Sequence, residues 1–216
     1  TAEGTPVPGL GYQLVLVEGA DDVDDYTSTD GDLIFISQTV SSGDPGYHMD
    51  DPLPLINTEA ALMNNSDPPR CELYFGSGEG SPDGVEFEIV DITHPITEIF
   101  TTGPLALGQG DGEIGYAGGT LATNVIALAT VPGNAGQISL GLAETGTSGL
   151  VPPGAGLPAG VEPLPAPRVL LGYHAGLFTT PTVNGAILLQ RTVQWAIGDP
   201  VTAGGATEPP AAPTDL

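Results

Sequence analysis

The chain has 216 residues, 27 acidic side chains, three arginines and no lysine, giving a formal net charge of −24. That balance argues against nucleic acid and anionic membrane as partners, because both need a basic footprint. The length predicts one domain with tails or large loops, and no run is long and apolar enough to span a membrane. Cys71 is the sole cysteine, so no intrachain disulfide can form.

Residues 1–11 are small, Gly/Pro-rich and predicted to be an extended segment. Residues 12–200 form the predicted domain, and 201–216 form an Ala/Pro/Thr-rich tail that cannot build a core. Within the domain, 12–18 read as a strand. Residues 19–32 gather Asp21, Asp22, Asp24, Asp25 and Asp30 into a polar connection. Residues 32–37 are an apolar strand that ends in the turn 38–43. A short extended piece at 52–56 leads to a short helix over 59–63, capped by Thr58. Residues 71–75 read as a strand and 76–84 as a loop. Apolar and acidic residues alternate over 85–90, which predicts an edge or half-exposed strand. A turn at 91–97 follows, then strands at 104–107, 125–130 and 137–143. Residues 145–167 are a long Gly/Pro-rich surface loop.

The stretch 168–198 organises the rest. Arg-Val-Leu-Leu-Gly-Tyr-His174 is an apolar run without alternation, the pattern of a strand buried on both faces. The helix after it has Thr180 or Thr182 as cap and Pro181 in its first turn. Its apolar face comprises Ala186, Leu189, Val193, Ala196 and Ile197, and Gly198 and Pro200 stop it. A buried strand feeding a packed helix is a unit of an α/β layer fold.

Three stretches carry a resemblance. They are Asp32-Leu-Ile-Phe-Ile-Ser-Gln-Thr-Val-Ser-Ser-Gly43, Val90-Asp-Ile-Thr-His-Pro-Ile-Thr97, and Arg168 to His174 with the helix that follows. Together they resemble the trehalose-utilisation (ThuA-like) branch of the class I glutamine amidotransferase-like superfamily, as found in bacterial surface domains. The resemblance implies a three-layer, flavodoxin-like α/β domain with a mostly parallel central sheet, Gly/Pro-rich loops and extended termini. It departs from the family in two places. The family's nucleophile is a Cys in a Gly-x-Cys-x-Gly elbow, whereas Cys71 enters a strand, so no catalytic residue carries over. The family's first β-α unit is absent before residue 12, which leaves a sheet position beside the 12–18 and 32–37 strands to be covered.

The candidate site residues each have a structural alternative. Asp21, Asp22, Asp24, Asp25 and Asp30 are candidate Ca²⁺ ligands, since Ca²⁺ favours several carboxylate oxygens. Their spacing is not that of an EF-hand, and the alternative is a solvated acidic loop. Asp44, His48 and His174 are candidate binding residues, because ligands of open α/β sheets sit at the carboxyl ends of strands. The alternative for His174 is a structural role. His94 reads as a turn residue whose ring caps a backbone group, Cys71 as buried and inert, and Trp195 as helix-to-sheet packing. Asn64-Asn-Ser66 matches a glycosylation sequon.

The function these observations predict is that of a non-catalytic structural or interaction protein, a subunit of an extracellular assembly or filament. It would be secreted, with Thr1 left by signal cleavage, and would contact copies of itself through its terminal segments. The alternative functions are a ThuA-like hydrolase and a carbohydrate- or cation-binding module.

Overall fold

Val169, Leu170 and Leu171 are all buried, yet they part into two different cores. Side chains alternate across a strand. Val169 and Leu171 therefore face one side of the sheet, with Ile56, Leu140, Leu142 and Leu188. Leu170 faces the other, with Ile36, Leu55, Phe75, Ala117 and Ala143. The strand is buried on both faces, as its unalternating apolar run predicts.

The computed structural model describes residues 5–6, 13–14, 31–39, 51–63, 75–148, 150 and 163–202. A two-stranded antiparallel sheet pairs β1 (Thr5–Pro6) with β2 (Gln13–Leu14). The main sheet has nine strands: β3 (Ile34–Ile36), β4 (Leu55–Asn57), β5 (Gly76–Gly80), β6 (Glu86–Ile89), β7 (Gly103–Ala106), β8 (Tyr116–Leu121), β9 (Ile126–Val131), β10 (Asn134–Ala143) and β11 (Arg168–Leu171). Its order is β3-β4-β11-β10-β9-β6-β7, with β8 joining β10 and β5 joining β8. Two helices follow, α1 (Ala175–Thr179) and α2 (Val183–Ala196).

The flavodoxin-like expectation is overturned. Strand outweighs helix, and the sheet is mixed. Only β3–β4 and β4–β11 are parallel, while every other pair in the sheet is antiparallel. The reason is loop length. Parallel neighbours need a crossover of about a dozen residues or more, usually a helix. Between β9 and β10 there are only Pro132 and Gly133, the latter at φ +73°, where glycine carries no steric penalty. The other connections from β5 to β10 are likewise short or irregular and lack a helix, so the chain returns antiparallel.

Several local expectations also change. Residues 76–80, expected to be a loop, form β5, and Tyr116–Leu121 forms a strand that the sequence pattern did not reveal. Of the two readings for β6, edge or half-exposed strand, the second holds: it lies between β9 and β7 and alternates exposed or half-buried residues with buried ones. Residues 60–63 form a 3-10 turn, and Thr58 does not cap it. Asn57 Oδ1 accepts from the Glu59 N–H at 2.8 Å, whereas the Thr58 hydroxyl donates to the Ile36 carbonyl at 3.0 Å. The predicted strand at 12–18 is described only at β2, which pairs with β1 and not with β3. The strand expected at 71–75 lies outside the described residues except for its last position.

Thr182 caps α2, accepting from the Gly185 N–H at 3.0 Å, and Pro181 stands just ahead of the cap. Gly198, at φ +78°, ends the helix as expected. The buried stripe is Gly185, Leu188, Arg191, Thr192 and Ala196, displaced from the predicted apolar face. Gly185 belongs to it because a Cβ there would stand 2.1 Å from the Leu107 carbonyl oxygen. Thr192 can be buried because its hydroxyl donates to the Leu188 carbonyl at 2.8 Å. Leu189 is only partly buried, and it packs on the Val169/Leu171 side, so it does not meet Leu170.

Candidate functional site

The parallel strands β3, β4 and β11 end on the same side of the sheet, where Ser37, Thr58 and His174 follow them. This is the place predicted for a site, and it is polar. Thr58 Oγ1 accepts from the Gln38 N–H at 2.8 Å while donating to Ile36, so it locks the end of β3 to β4. Glu59 accepts from the Ala61 N–H at 3.0 Å. Burial holds its carboxyl above the usual carboxylate range, against the opposing effect of that N–H.

His174 is the N-terminal flanking residue of α1 and is only 7% exposed. Its Nδ1 stands 3.5 Å from an oxygen of the exposed Glu113 carboxylate. The two residues meet because Ile114 bridges to Tyr173 and the Gly115 N–H donates to the Gly172 carbonyl at 3.1 Å. The Nε2 atom is buried without a hydrogen-bond partner among the described residues. It lies against Gly115, where a Cβ would come within 2.5 Å of it. Asn57 Nδ2 and Ser139 Oγ are likewise buried and unpartnered among the described residues.

The arrangement constrains the chemistry. A general acid or base must come within about 2.6–3.2 Å of the proton it moves. Gly115 occupies the space in front of Nε2, and Nδ1 faces a carboxylate. The His174–Glu113 pair therefore joins β11 to the loop before β8 rather than facing an open pocket. A groove among the described residues is lined by Asp83, Val85, Glu86, Ile114 and Pro132.

His174 is thus the one predicted binding residue whose surroundings are described. Asp44 and His48 lie outside the described residues, as do Asp21, Asp22, Asp24, Asp25, Asp30, Cys71 and the Asn64 sequon. Among the described residues no group of three or more His, Cys, Asp or Glu side chains could hold a metal ion. Glu113 and Asn57 were not singled out by the sequence. Glu113 sits in a Gly-rich loop far from His174 along the chain, and only the sheet register brings it near.

His94, Arg168 and Arg191 serve the fold. The His94 Nδ1 accepts from the Ile96 N–H at 3.2 Å, the backbone cap expected of it, and its ring meets Trp195 edge-on with centroids 5.1 Å apart. Trp195 packs at the margin of the α2-side core. Arg168 is 1% exposed and donates to the carbonyls of Leu53 at 2.9 Å and Asp51 at 2.7 Å. Arg191 is also 1% exposed. It donates to the carbonyls of Ile96, Pro95 and Thr202, and to the Glu98 carboxylate at 2.9 Å.

No family model, no curated protein and no solved structure matches this chain.

Proposed function

We propose that this chain is a non-catalytic, secreted structural or interaction protein, a subunit that associates with copies of itself in an extracellular assembly. One observation carries the reading: among the described residues, Arg168, Arg191, His94 and His174 are engaged in holding the fold. Arg168 and Arg191 are spent on backbone carbonyls, His94 caps a turn, and His174 is sealed against Gly115. With both described arginines buried, the exposed charge of the described surface is carboxylate, which suits contact with cations or neutral surfaces and not with anions. The hydrolase alternative drew on a mostly parallel sheet that the chain does not have.

The test is particle size. Light scattering and electron microscopy in molar NaCl should show assembly that grows with protein concentration. A chain that stays monomeric at every concentration and salt level contradicts the reading. Deleting residues 1–11, and separately 203–216, asks whether the terminal segments make the contact. Thr202 is kept because its carbonyl accepts from Arg191.

A further inference from the structure

We propose that the outer edge of β3 pairs antiparallel with β3 of a second copy, joining two sheets into one across a two-fold axis at Phe35. The inference rests on the assembly reading above and names its contact.

The sheet has three edges among the described residues, and they are treated differently. At β7, Thr182 covers the edge: its hydroxyl donates to the Ala106 carbonyl at 2.7 Å and its N–H to the Leu107 carbonyl at 2.8 Å. Pro104 lies in the same strand, where its missing N–H discourages pairing. At β5 the strand is three glycines, a serine and Glu79, a weak and charged template. The edge at β3 has none of these devices. It is Ile34-Phe35-Ile36, paired on one side with β4 and on the other with nothing among the described residues.

The register of β3 decides which groups face outward. The Ile34 N–H donates to the Pro54 carbonyl at 2.9 Å, and the Ile36 carbonyl accepts from the Thr58 N–H at 2.9 Å. Backbone groups of successive strand residues point to opposite sides. The N–H and C=O of Phe35 therefore point away from β4, as do those of Leu33 and Ser37. A two-fold axis at Phe35 lets the two Phe35 residues exchange both hydrogen bonds and sets each Leu33 opposite Ser37 of the second copy. Phe35 is 36% exposed, and its ring meets the 37%-exposed Phe178 edge-on at 6.2 Å. The same axis brings both aromatic pairs together on one face of the joined sheet, covering apolar surface that a lone subunit leaves in water.

Charge selects the second copy as the occupant. A chain with net charge −24 can meet itself only where carboxylates are spared. Residues 33–43 carry no charged side chain. In the antiparallel register Asp32 falls opposite Gln38, not opposite another Asp32. The two Asp32 residues are then six positions apart along the joined strands, about 20 Å at about 3.3 Å per residue. That exceeds the screening length of about 8–10 Å at ordinary ionic strength.

The test uses the full chain in molar NaCl. Phe35→Pro removes an N–H that β4 does not use, and Phe35→Lys places a charge at the axis. Both should lower the particle mass by sedimentation equilibrium while leaving the far-ultraviolet circular dichroism of the parent. In a Cys71→Ser background, Phe35→Cys should form a disulfide-linked dimer on mild oxidation, since hydrogen-bonded antiparallel partners have Cα atoms about 5.5 Å apart. Thr39→Cys, remote from the axis, should not. If the parent assembles and both Phe35 variants assemble equally well, β3 is not the contact, although the assembly reading stands. If the parent is monomeric throughout, both fail. Cross-linking by Thr39→Cys but not by Phe35→Cys would overturn the register.

Discussion

The Tyr173 hydroxyl donates to the Gly185 carbonyl at 2.8 Å, tying the end of β11 to the first turn of α2. Tyr173 is 1% exposed, and its ring meets Phe87 and Phe178 edge-on. Burial pushes its phenol far above the ordinary value, because the phenolate would have no solvent. Above about pH 10 the unfolded chain loses a proton that the folded chain keeps. Unfolding free energy should then fall by about 1.4 kcal/mol per pH unit from this group. Tyr173→Phe should cost about 1 kcal/mol at neutral pH, the usual worth of one hydrogen bond, and should flatten the alkaline limb. Denaturation midpoints from pH 8 to 11 would show this, and an alkaline limb unchanged in Tyr173→Phe would refute it.

His94 predicts the opposite limb. Burial lowers its pKa, and its Nδ1 must stay unprotonated to accept from Ile96. A base with a depressed folded pKa stabilises the fold above its unfolded value near 6.5, and that stability is lost as pH falls through the folded value. His94→Ala should therefore lose more stability at pH 7 than at pH 4, measured as the difference from the parent. Equal differences at both values would remove the acceptor role.

Leu188 and Leu189 are expected to separate. Leu188 is fully buried, and Leu189 packs at the margin of the same core. Leu188→Ala should cost about 2–5 kcal/mol and Leu189→Ala less. The reverse order in chemical denaturation would mean that α2 is rotated from its described position.

Arg191 links α2 to the turn at residues 94–98. Arg191→Ala leaves three carbonyl acceptors without their donor, a loss on the order of 3 kcal/mol when unsatisfied groups are buried. Lysine lacks the planar fork that spans them, so Arg191→Lys should recover little. Full recovery by lysine would show that charge alone suffices.

Salt should stabilise the fold. Repulsion among carboxylates is screened within about 3 Å at 1 M salt, compared with about 10 Å at 0.1 M. Thermal midpoints should climb as NaCl is raised into the molar range, and a flat profile would show that the acidic surface exerts no net strain. Comparing chelator with millimolar Ca²⁺ at fixed ionic strength asks separately whether Asp21, Asp22, Asp24, Asp25 and Asp30 take up the ion. Equal midpoints and equal particle sizes in both would reject that role.

The sequence by itself determined what local pattern can determine. The unalternating run at β11, a threonine cap of α2 at Thr180 or Thr182, its Gly198 stop, and the backbone cap at His94 all follow from short-range chemistry; the structure settles the cap on Thr182. The strongly acidic balance of the chain follows from composition. Tertiary structure decided the rest. Whether successive strands run parallel or antiparallel depends on what fits between them, and the helix-free connections from β5 to β10 outweighed the α/β pattern of the C-terminal unit. The buried face of α2 includes Arg191 and Thr192 because their polar groups find carbonyls, and hydrophobic periodicity cannot show that. The meeting of His174 with Glu113, and the outward aim of the Phe35 backbone, depend on register between distant strands, which no spacing along the chain encodes.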